Sequence, residues 1–333
     1  MQKSHQRVLF ESSQVDPTVN LSIEELLMDW NSEYEMCCFL WKNEKTVVIG
    51  RHQNVYDEVD LSYAKQNSIS IVRRNSGGGA VYHDKGNINF SVITEKCYSE
   101  EALNMLHRCI TEVLIRQGIK TEVRGRNDIY VGEKKVAGIA QYYSENRALI
   151  HGCLLVQTEL DVLNRVLTRN YKIKDSMAET SVYSKTANIA DYEMVLTDDL
   201  VKNYMEYLIG KGFIFLSDNY PFEKDEIEEL ANRKYRLKEW NYGYIPEFDY
   251  INGKHYKGGY ICVEAIIRDE VIQAIRFKGD FFTKKDISGL EFIMRGMVIS
   301  ENLTLDLENN GGDDYIIGIT SRDIADLFSE IVA

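Results

Sequence analysis

The sequence has little proline and no long apolar run. Only three of its 333 residues are proline, and no long polar tract occurs, so disordered linkers are not expected. A membrane span is not expected either, because no stretch reaches the roughly 18 uninterrupted apolar residues that one requires. The first residues, MQKSHQRVLFESSQ, contain a basic cluster but no apolar run of signal-peptide length. We therefore expect a cytoplasmic protein.

The six cysteines lack the spacing of a metal site or a disulfide framework. There is no CxxC pair and no group of histidines and cysteines at zinc-binding spacing. Cys37 and Cys38 are adjacent, and in a strand they would point to opposite faces. These features favour buried, reduced thiols.

Positive charge is in the minority. The chain has 39 Lys and Arg against 52 Asp and Glu, a net charge of −13, whereas nucleic-acid-binding proteins usually carry a basic stripe. We therefore expect no nucleic-acid partner. Arg73 and Arg74, which stand beside a glycine triplet, suggest instead a local anion site within an acidic protein.

The predicted elements mix hairpins with helices. NLSIEELLMDW, with an Asn/Ser capping position and apolar residues at helical spacing, predicts a helix. CCFLWKN and TVVIGR predict two strands joined as a hairpin through KNEK. Because a regular βαβ alternation is lacking, we expect an α+β fold, divided into a large domain at 1–247 and a small α+β domain at 248–333.

The glycine triplet lies in RRNSGGGAVYHDKGNINFS, residues 73–91. It is not a P-loop, because GxxxxGK[ST] is absent, and a dinucleotide fingerprint would need glycine where Tyr82 stands. A strand–loop–strand remains, whose amides could bind an anion with charge-assisted bonds from Arg73 and Arg74. The alternative is a tight turn with surface arginines.

A second group of polar residues lies in GRNDIYVGEKKVAGIAQ, residues 125–141. Asn127 and Asp128 could hold Mg²⁺ through oxygen ligands, or could simply form a turn. Lys135 precedes an apolar strand and could supply a fixed positive charge. His151, in HGCLL, could be a catalytic base or a hydrogen-bonded core residue.

Taken in order, these motifs resemble one family. NLSIEE, VVIGRHQN, RRNSGGGAVYHDKGNINFS, GRNDI, KKVAGIAQ, HGCLL, EWNYG and a final FKGDFF…GIT are similar to the lipoate–protein ligase family. The similarity covers nearly the whole chain. It implies a biotin/lipoate ligase-like catalytic domain, a mixed sheet flanked by helices as in class II aminoacyl-tRNA synthetases, and a mobile C-terminal accessory domain.

The resemblance also implies a reaction. Lipoate and MgATP would give lipoyl-AMP and pyrophosphate, and a lysine of a lipoyl domain would then attack the adenylate. The implied acceptors are E2 subunits of 2-oxoacid dehydrogenases and the glycine-cleavage H protein or an H-like protein. Octanoate is a further small-molecule candidate, because a narrow apolar tunnel discriminates poorly among similar acyl groups. A monomer is the simplest expectation.

The family pattern assigns roles to several residues. Lys135 would be the catalytic residue, a charge held between the acyl carbonyl and the α-phosphate. Asn127 and Asp128 would lie near Mg²⁺, and the strands around Val72 and Ile139 would line the dithiolane tunnel. The set implied to bind ATP and lipoyl-adenylate is Arg74, Ser76, Gly77, Gly78, Gly79, Ala80, Val81, Tyr82, Lys135, Gly138, Ile139, Ala140 and His151, with Gly77 and Gly78 making room for the acyl chain.

The sequence departs from the family pattern at two places. The loop over the adenylate reads SVYSKTAN, from Ser181, so that Tyr183 and Lys185 replace two arginines; lysine keeps a charge but loses the bidentate fork. Cys153 stands where threonine is common. Related octanoyl- and lipoyl-transferases use a cysteine nucleophile, although Lys135 and the C-terminal domain are ligase features.

Three functions therefore stay open. The first is an ATP-dependent lipoate ligase. The second is a transferase of the same fold that moves a lipoyl or octanoyl group without ATP. The third is a non-enzymatic protein that binds lipoyl domains. Biotin ligase is a weaker enzymatic alternative, because the arginine–glycine string resembles the lipoate branch.

Overall fold

The computed structural model describes residues 6–30, 34–125, 127–167, 185–243 and 248–332. Within these ranges the strands are β1 (Arg7–Glu11), β2 (Met36–Trp41), β3 (Thr46–Ile49), β4 (Ser70–Arg73), β5 (Val81–His83), β6 (Asn87–Glu95), β7 (Glu122–Arg124), β8 (Asp128–Val131), β9 (Lys134–Tyr143), β10 (Arg147–Leu155), β11 (Phe213–Ser217), β12 (Tyr250–Tyr256), β13 (Gly259–Arg268) and β14 (Val271–Gly279). The α-helices are α1 (Pro17–Asp29), α2 (Val55–Glu58), α3 (Leu61–Gln66), α4 (Ser99–Arg116), α5 (Leu160–Val166), α6 (Thr197–Gly210), α7 (Lys224–Leu230), α8 (Lys238–Tyr242), α9 (Ile287–Met294), α10 (Leu303–Asn309), α11 (Ser321–Asp326) and α12 (Ser329–Val332).

The largest sheet has the order β11-β1-β2-β6-β10-β9-β8-β7. β1 is parallel to β2 and β11, and the other pairs are antiparallel. One apolar cluster joins the sheet to α4 and α6, and another joins it to α1 and α7. The mixed sheet between helices confirms the predicted α+β fold.

Helix α1 begins earlier than the sequence predicts. Its N-cap is Asp16, whose carboxylate accepts from the Thr18 N–H at 2.8 Å, and Pro17 occupies the first turn. Asn20 and Ser22, predicted as capping residues, lie inside the helix and are buried. The helix therefore carries polar as well as apolar side chains into the protein.

The predicted hairpin between β2 and β3 is wrong. β2 belongs to the large sheet, whereas β3 lies in a second sheet of order β4-β3-β5. The connecting residues are fixed by Asn43, which is buried, accepts from Asn20 Nδ2 at 3.0 Å and donates to His83 Nδ1 at 3.2 Å. These bonds to distant residues make the connection a crossover between sheets, which local turn chemistry does not reveal.

The C-terminal residues form a third sheet, β12-β13-β14, with an apolar cluster shared with α9, α10 and α11. This unit contacts the second sheet at the residues that follow β3. Gly279 N–H donates to the carbonyl of His52 at 3.0 Å, and the rings of His52 and Phe281 stack at 4.9 Å with 6° between their planes. The predicted boundary at 247/248 adjoins residues 244–247, which lie outside the described ranges.

None of the described helices is both long and apolar enough to cross a membrane.

The His52–Phe281 stack makes the stability of the protein sensitive to acid. Burial, and then the cations of Arg51 and Arg73, lower the pKa of His52 to about 3, whereas an unfolded histidine titrates near about 6.5. Between these pH values the unfolded chain binds the extra proton, so the free energy of unfolding falls as the pH falls through the window.

We expect His52→Phe, which keeps a ring against Phe281, to lose less stability than the wild type between pH 6.5 and about 4. Thermal unfolding followed by circular dichroism at several pH values measures this difference. His255→Phe, at an exposed position, is the control for loss of a histidine and should behave like the wild type. Equal pH dependence in all three proteins would contradict the prediction.

Candidate active site

A cavity of about 450 Å³ opens where the large sheet, the glycine loop and the C-terminal unit meet. Most of the residues singled out from the sequence line it: Arg74, Gly78, Gly79, Ala80, Val81, Asn127, Asp128, Lys135, Gly138, Ile139, Ala140 and His151. A smaller cavity of about 150 Å³, lined by Tyr82 among others, shares Ala80, Val81, Lys135, Gly138 and Cys153 with the first. Ser76 is fully buried, and Val72 is buried in an apolar cluster with Val48.

The floor of the large cavity is a row of paired residues across the sheet. Trp41 pairs with Asn89, Asn89 with Cys153, Cys153 with Gly138 and Gly138 with Asp128. Paired residues share a face of a sheet, so five strands contribute to one surface. The strand register therefore sets the order of chemical groups along the cavity.

His151 lies in a neighbouring row and is hydrogen-bonded at both ring nitrogens. Its Nε2 is 2.7 Å from Ser76 Oγ, and its Nδ1 is 2.8 Å from Oε1 of the buried Glu24. Glu24 also accepts from Ser91 Oγ at 2.5 Å, and Ser91 in turn accepts from Trp41 Nε1 at 2.9 Å. These contacts match the hydrogen-bonded core alternative for His151 rather than a free base.

Arg74 binds the loop that it precedes. Its guanidinium donates to the carbonyls of Val48 at 3.1 Å, Gly77 at 2.6 Å and Gly79 at 2.8 Å, and its Nε donates to Ser76 Oγ at 2.9 Å. Burial lowers its pKa to about 10, which still leaves it charged at neutral pH. Arg74 therefore stabilises the conformation of the glycine loop.

Arg73 is similarly engaged. It donates to the carbonyls of Gly50 and Gln53 at 2.8 and 2.7 Å, and to those of Trp240 and Asn241 at 2.9 and 3.0 Å. Both arginines thus face main-chain oxygens, which differs from the expectation that they bind an anion directly. The EWNYG motif holds β4 through these contacts and through a bond from Trp240 Nε1 to the Arg73 carbonyl, 2.8 Å.

The glycine triplet makes room for the C-terminal unit. A Cβ on Gly77 would lie 2.2 Å from the carbonyl oxygen of Phe281, and one on Gly78 would lie 2.9 Å from the ring of Phe282. The Gly78 N–H donates to the same Phe281 carbonyl at 3.2 Å, and its φ of +86° is one that favours glycine. In this structure the groups that lie close to the triplet are therefore the backbone of Phe281 and the ring of Phe282.

Lys135 lies between the two cavities and is paired with Asp128, Nζ to Oδ1 2.7 Å. A Cβ on Gly138 would lie 3.1 Å from Cε and 3.2 Å from Nζ of Lys135. Glycine at position 138 therefore leaves room for the end of the Lys135 side chain. The KxxG spacing of the sequence is explained by this contact.

The segment after residues 168–184 is hydrogen-bonded to the beginning of β9. The Lys135 N–H donates to the carbonyl of Lys185 at 2.8 Å, and the Ala187 N–H donates to the carbonyl of Lys135 at 3.1 Å. The side chain of Lys185 is exposed. Ser181 and Tyr183, singled out with Lys185, lie outside the described residues.

Cys153 is a neutral thiol at neutral pH. Burial raises its pKa above the ordinary value, and the opposing effects of Lys135 and Arg74 are smaller. A thiolate nucleophile needs a lowered pKa. The local electrostatics therefore disfavour the acyl-enzyme alternative.

Four polar residues of the cavity were not singled out from the sequence: His83, Asn89, Arg124 and Asp280. His83 Nδ1 accepts from Asn43, which leaves the proton on Nε2; burial, with Arg74 and His151, lowers its pKa to about 3. His83 Nε2 and Asn89 Nδ2 are buried without a hydrogen-bond partner in the described part of the chain. A signal was available, since Asn87, Asn89 and Ser91 alternate with apolar residues along the fully buried part of β6.

The predicted Mg²⁺ site at Asn127 and Asp128 has few oxygen ligands from the protein. Among the described residues no three His, Cys, Asp or Glu side chains group as a metal site. Asp128 is paired with Lys135, and Asn127 Oδ1 accepts from Gln141 Nε2 at 3.3 Å. One carboxylate and one amide suit Mg²⁺ that brings phosphate ligands with it, rather than a cage built only by protein.

Comparison with known proteins identifies the family. Residues 16–208 match the family "Lipoyl protein ligase A/B catalytic domain", and residues 245–328 match "Bacterial lipoate protein ligase C-terminus". The lipoate-protein ligase LplJ of Bacillus subtilis is 30% identical over 328 residues, covering 94% of this chain and 96% of its own.

Two solved structures are 26% identical to this chain in sequence, and each has a TM-score of 0.61 against it. One is lipoate-protein ligase A bound with ATP, whose whole length matches 73% of this chain. The other comes from a study of a bi-partite lipoate protein ligase and its E2 lipoyl domain from Thermoplasma acidophilum, and it covers 74% of this chain and 100% of its own. The resemblance inferred from the motifs is confirmed: this chain belongs to the lipoate–protein ligase family and is an enzyme of that family.

Proposed function

We propose that this enzyme activates lipoate with ATP and transfers the lipoyl group from lipoyl-AMP to a lysine of a lipoyl domain. The observation that carries the proposal is Lys135, an ammonium group at the junction of two adjoining cavities. The larger cavity has apolar walls that include Leu21, Trp41 and Val48, which suit an acyl chain. The ATP-bound relative supports the nucleotide as co-substrate.

In the first step a lipoate carboxylate oxygen would bond to the α-phosphorus while the bond to the pyrophosphate oxygen breaks. Negative charge on the phosphoryl oxygens grows in the transition state, and a fixed cation stabilises it without reorganising water. Lys135 would supply that charge. In the second step the acceptor amine would attack the acyl carbon and give up a proton, while the bond from that carbon to the phosphate oxygen breaks and AMP leaves with the electron pair.

The other groups of the cavity have positioning roles in this proposal. The amides of 79–82 would bind the adenylate, with Arg74 and Ser76 holding the loop rather than touching the phosphate. The unpartnered polar atoms of His83 and Asn89 would gain ligand partners, since buried polar groups are normally satisfied. Gly138, Ile139, Ala140 and His151 would form the adjoining wall.

Asp128, with Asn127, would hold Mg²⁺ together with phosphate oxygens, because Mg²⁺ usually binds through one or two carboxylates and substrate phosphates. The ion would neutralise phosphate charge. Asp128 also orients Lys135 through their 2.7 Å ion pair.

The acceptor is proposed to be a lipoyl domain of an E2 subunit or a glycine-cleavage H protein, supported by the relative studied together with its E2 lipoyl domain.

We further propose Tyr183 and Lys185 as part of the loop over the adenylate. We also propose residues 1–247 as the catalytic domain and residues 248–333 as the accessory domain.

Removing the Lys135 ammonium should slow lipoyl-AMP formation. We expect Lys135→Ala to slow the step by about 10² to 10³, the effect of losing one preorganised transition-state contact. Mass spectrometry of mixtures of protein, lipoate, ATP and Mg²⁺ without acceptor measures the product. Lys134→Ala, at the exposed neighbouring position, should retain normal rates, and unchanged adenylation by Lys135→Ala would refute the proposal.

A methyl group at position 138 should displace the same ammonium. Its Cβ would lie 3.1 to 3.2 Å from the end of Lys135, so Gly138→Ala should reduce kcat for adenylation by about tenfold or more while the protein stays folded. Gly210→Ala, where no atom lies within 4 Å of the added Cβ, is the matched control. Equal kcat values in both variants would show that the glycine is not needed for lysine placement.

The transferase alternative makes the opposite prediction for Cys153. If the thiol only packs, Cys153→Ala should form lipoyl-AMP and label the H protein at rates near those of the wild type. Labelling is followed by the mass increase of the acceptor, with ATP or with synthetic lipoyl-AMP. Complete loss of labelling in a folded variant would favour an acyl-enzyme mechanism.

A further inference from the structure

A short segment of the C-terminal unit, residues 279–282, enters the wall of the large cavity. Asp280 and Phe282 line the cavity together with residues of the large sheet and the glycine loop. The cavity residues proposed to contact the acyl chain, Leu21, Trp41 and Val48, all come from the N-terminal part of the chain. Phe282 is thus an aromatic group that the C-terminal unit adds to the cavity lining.

The segment is fixed on both sides. The Phe281 carbonyl accepts from Gly78 N–H at 3.2 Å, and the Phe281 ring, which is fully buried, stacks on His52. Within its own unit, Asp280 Oδ1 accepts from the Tyr260 N–H at 2.6 Å. Phe281 therefore anchors the segment, which leaves the half-buried Phe282 ring facing the cavity.

The glycine loop is shaped to receive the Phe282 ring. A Cβ at Gly78 would lie 2.9 Å from both Cε1 and Cζ of Phe282, and 3.2 Å from a guanidinium nitrogen of Arg74. Arg74 is itself held by the carbonyls of Gly77 and Gly79. The ring consequently rests against backbone whose carbonyl groups are hydrogen-bonded to Arg74.

We propose that Phe282 is a specificity-determining residue, which limits the length of the acyl group that the cavity accepts. This inference rests on the proposed function, because it takes the occupant of the cavity to be an acyl chain. One methylene in an apolar pocket changes the specificity of an enzyme by roughly 10- to 200-fold. A ring at the wall therefore has enough volume to decide between neighbouring chain lengths.

The test uses the full-length enzyme with lipoate and straight-chain acids from hexanoate to dodecanoate, with acyl-AMP formation as the readout. We expect Phe282→Ala to improve kcat/KM for the longer acids relative to octanoate by about tenfold or more. The KM for lipoate should rise while kcat changes little. Phe282→Trp should shift the preference towards shorter acids, and it tests the proposal independently if the alanine variant does not fold.

Phe292→Ala is the matched control, because Phe292 belongs to the same unit and is 76% exposed; its chain-length preference should equal that of the wild type. An unchanged ranking of acids in folded Phe282 variants would overturn the inference and leave the proposed function standing. A uniform loss for all acids would also overturn it, since the ring would then only hold the units together. A wild-type enzyme that forms no acyl-AMP from any acid would overturn both proposals.

Discussion

The buried cation of Arg74 is the interaction on which the shape of the site depends. Removing a guanidinium from water is costly unless its donors are satisfied, and here the carbonyls of Val48, Gly77 and Gly79 satisfy them. Ser76 and His151 then connect the arginine to the buried carboxylate of Glu24. A positive and a negative charge therefore balance one another across the base of the cavity.

The cationic side chains of the cavity differ in their partners, and this difference distinguishes those that hold the structure from the one available for the proposed chemistry. Three cationic side chains line the cavity in the described part of the chain, Arg74, Arg124 and Lys135. Arg74 is held by carbonyls, and Arg124 bonds to Glu122 and Glu133. Lys135 is countered by the single carboxylate of Asp128. This acidic chain thus places an ammonium group with a single carboxylate partner where the proposed phosphate chemistry needs it.

Local patterns in the sequence predicted the elements and several of the groups that meet in the cavity. Lys135 was predicted from the residues as a fixed positive charge, and the resemblance to the family added its catalytic role and Gly138 through the KxxG pattern. The partners of Arg73 and Arg74 were not, since a buried arginine and an anion-binding arginine have the same local sequence. The hairpin was wrong for a similar reason: Asn43 is fixed by Asn20 and His83, which lie far away along the chain.

The partners of the glycine triplet could not be predicted from the local sequence either. Its sequence indicates that something passes close to the backbone, but not what that group is. Gly77 and Gly78 face Phe281 and Phe282, which lie about 200 residues later in the chain, and contacts over such separations leave no periodic signal. Gly78 both contacts the C-terminal unit and lines the cavity. A substitution at Gly78 would therefore change the contact between the two parts of the enzyme and the wall of the cavity together.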